Sequence, residues 1–276
     1  MFDTHCHLNF KAFAGKEEEI VKSAQKAGIQ HIMIPGTDVK SSKKAIELAE
    51  RFEGAYAAVG IHPHHIYKLK VKSQNLKVRE ELLEIEKILS HPKVVAVGEV
   101  GLDRHIYKKT VYNDYQVDEK FVALQKQFFL MQLKLAHKYK KALIIHNREA
   151  TDDLLRILSD NRSLITDCRM VFHCCEPEQE LLDFAVKHKI FLGVDGDITY
   201  QKDKQEFIQK FPSELLVLET DSPFLLPEPL RSKRTYPNEP KNLKIVAEFI
   251  AKIIGVSLSK LENITEENSK KLFQLN

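Results

Sequence analysis

A chain of 276 residues with 43% hydrophobic and 29% charged side chains has the balance of a soluble globule, long enough for one large α/β barrel or two modest domains. A net charge of +3 excludes a histone-like polycation and is compatible with a nucleic-acid substrate without arguing for one, while no apolar run approaches the ~18 residues of a membrane helix. Cys6, Cys168, Cys174 and Cys175 form no C-x-x-C pair or disulfide framework, and no signal peptide precedes the first strand, so reduced thiols in a cytoplasmic protein are expected.

The chain opens on Asp3-Thr4-His5-Cys6-His7. Alternate side chains of an extended strand share a face, so His5 and His7 project together and can chelate one divalent ion. An H-x-H by itself is weak, and gains weight only if later strands end in matching ligands. A polar helix over 16–27 and an apolar run over 31–36 follow, then a helix over 39–52 and a run over 55–60. An amphipathic segment over 76–89 stops at His91-Pro92, ahead of the buried-type strand over 94–98. A loop over 104–115, rich in Tyr and Lys, leads to a long helix over 118–139 opened by Asp118 and ended by basic residues. Runs over 143–145, 169–172, 190–194 and 215–218 alternate with helical stretches over 150–158, 177–187 (Pro177 in its first turn) and 203–211. Two helices close the chain, one over 241–254 completing the barrel and one over 258–273 as an appendage.

Eight short apolar runs alternating with helices imply a parallel sheet covered on its outside. Eight such units in about 250 residues favour an α/β fold, a (β/α)8 TIM barrel, forming a single domain over 1–276 with an extra C-terminal helix. An open doubly wound sheet would need a glycine-rich phosphate loop after its first strand, and the chain has no G-x-G-x-x-G and no Gly-Lys-Ser/Thr.

In such a barrel the C-terminal strand ends carry the chemistry. Here they read His5-Cys6-His7, His62-Pro63-His64-His65, Glu99 with Asp103 beyond it, His146-Asn147-Arg148, His173, and Glu219-Thr220-Asp221. Loops need polar residues of any kind, which would supply Ser, Asn, Gly and Lys as often as His. Seven of the 12 histidines lie at these ends, so a metal site is the better reading. His146 and His173 end neighbouring strands and can converge on one ion. Glu99 ends an apolar strand, where an unpaired carboxylate is costly and an ion satisfies it, with two oxygens available to bridge. Asp221 ends the last strand and in a closed barrel faces His5 and His7. Glu219 is equally a supporting carboxylate or a structural one, and Asp103 a brace or a turn residue.

With Asp3-Thr4-His5-Cys6-His7, Gly60-Ile61-His62-Pro63-His64, Gly98-Glu99-Val100-Gly101-Leu102-Asp103, His146-Asn147-Arg148-Glu149-Ala150 and Glu219-Thr220-Asp221-Ser222-Pro223-Phe224 in this order, the chain resembles the TatD family of metal-dependent deoxyribonucleases. The resemblance runs from the first residue to Asn238-Glu239-Pro240 and more loosely beyond. It implies two divalent ions (Mg, Zn or Mn), one held by His5, His7, Glu99 and Asp221 and the other by Glu99, His146 and His173. It further implies that His62 and Arg148 contact substrate phosphates. The chain departs from the family at Cys174-Cys175-Glu176-Pro177, at Asn147 and at Thr235-Tyr236-Pro237.

The implied activity is hydrolysis of DNA phosphodiesters, 3′ to 5′ from single-stranded ends, by two ions and a bridging water, with Asp221 as general base beside the catalytic Glu99. Lys108, Lys109, Arg231, Lys233 and Arg234 are candidates for tracking the strand, and Tyr107, Tyr112 and Tyr115 for stacking on bases. The same ligand set serves other esters and amides, including a D-aminoacyl-tRNA ester, and a barrel that has lost catalysis is the reading from a different class. Nothing apolar enough to mark a subunit interface stands apart from the barrel's own packing, so the oligomeric state, a monomer included, is open.

Overall fold

Eight strands, β1 (Phe2–Asp3), β2 (His31–Pro35), β3 (Ala55–Val59), β4 (Val94–Asp103), β5 (Ala142–Arg148), β6 (Met170–Phe172), β7 (Phe191–Val194) and β8 (Leu216–Leu218), pair in parallel and in chain order. The computed structural model describes residues 1–70, 74–108, 110–112 and 115–275, with backbone alone at 69, 70 and 74–79. The ring closes from β8 to β1: Thr4 N donates to Leu218 O at 3.0 Å, His7 N to Ser222 O at 2.7 Å and Asp221 N to His5 O at 2.9 Å. The fold is the (β/α)8 barrel that the alternation of apolar runs predicts.

Helices cover the outside and begin where the chain supplies caps. Asp38 and Ser41 make a reciprocal capping box at Val39–Arg51, and Asp118 accepts from Phe121 N at 2.8 Å at the start of Glu119–Tyr139. Several expected boundaries move, two of them in the helices beside the site. The helix after β6 is Gln179–His188, which leaves Pro177 ahead of it, and the helix after β7 is Lys202–Phe207 followed by a 3₁₀ turn, Ile208–Lys210. The start of the helix expected over 76–89 has no described side chains, and Lys109 lies outside the described residues. Among the described residues no helix is long and apolar enough to cross a membrane.

All eight strands contribute to one buried cluster, through Phe2, Met33, Ala58, Ala96, Ile144, Val171, Phe191 and Val217. Only the inside of the barrel lets all eight strands meet, so this is the barrel filling. Leu272 and Phe273 of the last helix, Leu258–Phe273, belong to the same cluster, and Asn268 Nδ2 donates to Ser213 O and Leu216 O at 2.8 Å each. That helix is therefore no appendage. It packs into the end of the barrel where the strands begin, against Phe2 and His31, opposite His5 and His7.

β4 runs to Asp103, well past the apolar run that announces it, and carries the irregularity that matters most for function. Its register on β5 is Val97↔Leu143 and then Val100↔Ile145, so one extra residue is accommodated at Gly98-Glu99. Such a bulge re-aims a side chain. Gly101 follows at φ 149°, where a Cβ would collide with the carbonyl of His146. The close approach of β4 to β5 thus requires glycine there.

Candidate metal centre

Side chains in the C-terminal parts of β4 and β5 and just beyond the other strands converge on one mouth of the barrel. His5 and His7 follow β1, and their Nε2 atoms stand 3.2 Å apart. Glu99 Oε2 lies 3.4 Å from His5 Nε2 and 3.5 Å from His7 Nε2. Asp221 Oδ1, beyond β8, lies 3.8 Å and 3.5 Å from the same two nitrogens. The other oxygen of Glu99 turns toward a second group. Oε1 is 3.0 Å from His146 Nδ1, 3.3 Å from His62 Nε2 and 3.8 Å from His173 Nε2. Glu99 therefore divides its two oxygens between two sets of imidazoles.

These separations fit divalent ions. Ligands about 2.1 Å from a tetrahedral ion stand about 3.4 Å from one another. His5, His7 and Glu99 offer donor atoms all within 4.8 Å of each other, as do Glu99, His146 and His173, and His5, His173 and Asp221. The Asp221 backbone is left-handed at φ 47°, as is that of Cys174 at φ 46°, a conformation that non-glycine residues keep where surroundings demand it.

The electrostatics separate the histidines into two kinds. Burial, reinforced by neighbouring imidazoles, lowers the pKa of His5 and His7 and keeps their lone pairs free. Burial opposes charge on His146 and His173 as well, yet Asp103 and Glu99 push the first up to about 9, and Glu219 leads in pushing the second up to about 10. Burial would raise Glu99, but His62, His146 and His5 outweigh it and hold the carboxyl well below its usual range. Asp221 goes the other way: burial, with Glu99 and Asp195, lifts it well above its usual range against the pull of His173.

A layer of carboxylates orients these groups from behind. Glu219 Oε1 lies 3.0 Å from His173 Nδ1 and accepts from Cys174 N at 2.5 Å. Gly193 makes the room, since a Cβ there would meet that carboxylate. Asp103 Oδ2 lies 3.1 Å from His146 Nε2. Asp3 is fully buried and accepts from Thr220 Oγ1 at 2.6 Å, Thr220 N at 3.0 Å and His5 N at 3.3 Å, tying the start of the chain to the end of β8. Its place in the opening Asp-x-His is the signal in the sequence. The buried pair of Lys204 with Asp197, Nζ to Oδ2 at 2.7 Å, has none, because no motif links the two positions.

A cavity of about 630 Å³ opens over the centre. Arg148, His62, His64 and Tyr107 line it on the side of β3 to β5, and Asp197, Gln201, Phe10 and Phe224 on the side of β7 to β1. Tyr112 and Tyr115 are not part of this lining. They pack beside His64 and Tyr67, with ring centroids 4.8–5.4 Å apart, because a loop with several aromatics buries them against one another. Lys108, Arg231, Lys233 and Arg234 are exposed and are not among the residues that line the cavity.

Residues 2–274 match the family described as TatD related DNase. The chain belongs to the TatD family. It is 33% identical over its whole length, and that of its relative, to the Bacillus subtilis protein called uncharacterized metal-dependent hydrolase YabD. It is 29% identical, over 99% of its length and 98% of the relative's, to the 3′-5′ ssDNA/RNA exonuclease TatD of Escherichia coli. The crystal structure of YJJV, a TatD homologue from Escherichia coli, superposes with a TM-score of 0.83 at 28% identity, covering all of this chain and 98% of that one. The chain is thus a TatD-family metal-dependent hydrolase.

Proposed function

We propose that the chain, acting as one barrel over residues 1–276, hydrolyses phosphodiester bonds of DNA from single-stranded ends in the 3′ to 5′ direction. The observation that carries this reading is the division of Glu99, one oxygen toward His5 and His7 and the other toward His146 and His173, beneath a cavity rimmed by an exposed arginine. The name of the relative from Escherichia coli supports the substrate and the polarity. In this reading His5, His7, Glu99 and Asp221 hold one ion, and Glu99, His146 and His173 hold the other. When bound, the ions, with Mg, Zn and Mn as candidates, supply Lewis-acid activation of a water and neutralise charge on the diester.

The protein's own groups do the rest. Arg148 presents two parallel N–H donors to the non-bridging oxygens, and His62 adds a third donor beside it. Asp221 accepts the proton of the attacking water as its oxygen bonds to phosphorus. The ester P–O bond then breaks, and the leaving oxygen takes up a proton. Glu219, Asp103 and Asp3 keep His173, His146 and His5 in register throughout.

End-labelled single- and double-stranded DNA, supplied with Mg, Mn and Zn in turn, tests the reading. Single-stranded DNA should shorten from its 3′ end, and chelator should stop the reaction. Arg148→Ala should lower kcat/KM on DNA by about 10- to 100-fold, the loss of a charge-assisted fork on phosphate, and spare an uncharged ester. Turnover of amide or aminoacyl ester with none of DNA would replace this reading by another hydrolase.

A further inference from the structure

A continuous line of polar contacts leads from the centre to the rim of the cavity. Glu99 Oε1 meets His146 Nδ1 at 3.0 Å, and His146 Nε2 meets Asp103 Oδ2 at 3.1 Å. That same carboxylate oxygen accepts from the Tyr107 hydroxyl at 2.7 Å. The hydroxyl in turn accepts from Arg148 Nη1 at 3.3 Å, with the guanidinium carbon 5.2 Å from the centre of the Tyr107 ring.

The two ends of this line differ in rigidity. Asp103 is fully buried and fixed on every side: its Oδ1 accepts from His105 N at 2.9 Å, and its own backbone exchanges two hydrogen bonds with the buried Gln125 amide, at 2.8 and 2.9 Å. Arg148 is exposed, and among the described residues Tyr107 is the one hydrogen-bond partner of its guanidinium. A phenol has one proton to donate and lone pairs to accept with. Tyr107 commits its proton to Asp103, so its lone pairs face outward, and only a donor such as Arg148 can meet them. The ring face beneath the guanidinium adds a second, electrostatic hold. A long cationic side chain restrained in this way before the substrate arrives loses less rotamer freedom on gripping a phosphate.

We propose that Tyr107 is a positioning residue, which holds Arg148 ready for the substrate phosphate from the Asp103 oxygen that also orients His146. The hydroxyl accounts for the hold and the ring contributes to it, so one carboxylate oxygen sets the orientation of both a candidate metal ligand and the phosphate grip. This rests on the reading of the cavity as a site for DNA.

Tyr107→Phe removes the hydroxyl and keeps the ring. The probe is a fluorescein-labelled single-stranded thymidine decanucleotide. Its affinity is measured by anisotropy for the protein in excess chelator, and its hydrolysis is followed in Mn. Tyr107→Phe should weaken binding without metal by about five- to tenfold, and raise KM by a similar factor with kcat within about twofold. In an Arg148→Ala background the same change should cost nothing further, because Tyr107 acts through Arg148. Melting curves check that each variant is folded, and Arg148→Lys gives a second comparison: its ammonium lacks the fork, so Tyr107→Phe should cost less in that background. Unchanged binding in folded Tyr107→Phe, or a loss that adds in full to that of Arg148→Ala, overturns the proposal while leaving the nuclease reading intact. A wild-type protein that neither binds nor cleaves the oligonucleotide overturns both.

Discussion

Glu99 carries both halves of the centre, and its chemistry follows from where a bulge puts it. The carboxylate is buried, and four imidazoles, those of His5, His7, His146 and His62, lie within 3.5 Å of one or other of its oxygens. Glu99→Ala removes an acceptor from each group at once. Elemental analysis of the purified variant should find less than one ion per chain, and turnover should fall by about 10³-fold or more. Asp221→Asn keeps the shape and removes the proton acceptor, so it should retain much of the metal and lose most of kcat. At this scale the sequence is readable wherever an ionisable side chain ends an apolar run or stands close behind one, as at Glu99, His146 and His173 and at Asp221. It is not readable where function depends on one particular atom. Nothing in the order of residues says that Asp103 gives a single oxygen to both His146 and Tyr107, or that Glu219 stands behind His173.

Among the elements, β4 and the last helix depart furthest from a repeating β/α unit. The bulge at Gly98-Glu99 turns the carboxylate inward, and Gly101 lets β4 pass close to the carbonyl of His146. Neither can be inferred from an apolar run, because a bulge depends on how the neighbouring strand pairs. The helix Leu258–Phe273 brings Leu272 and Phe273 against Phe2 and the barrel filling. Leu272→Ala should destabilise the protein by about 3 kcal/mol, the usual cost of a buried leucine truncated in a close-packed core, measured by urea or thermal unfolding. A helix that only hung from the barrel would tolerate the change within about 0.5 kcal/mol. Its periodicity is plain in the sequence, but periodicity tells which residues face inward and not what they face. The loop of tyrosines teaches the same thing, since aromatic rings that look free to stack on bases bury one another first.

For the molecule as a whole, the mouth of the barrel concentrates carboxylates and imidazoles that only partly satisfy one another, so ions that bind there bind the folded state alone. Addition of Mn or Zn at about a hundredfold excess over Kd should stabilise the wild type by about 2.7 kcal/mol, or about 5 °C in Tm for a chain of this length. Chelator should reverse the shift, and Glu99→Ala should respond much less. The amino-acid sequence by itself determined the alternation of apolar runs and helices, hence the barrel, and the His, Asp and Glu residues that end its strands, because side-chain periodicity and polarity are local properties. The tertiary structure decided what those residues do to one another. Ring closure sets Asp3 against Thr220 and His5 against Asp221 across more than two hundred residues, and the bulge in β4 splits Glu99 between two groups. Distances of that kind arise only when the last strand meets the first.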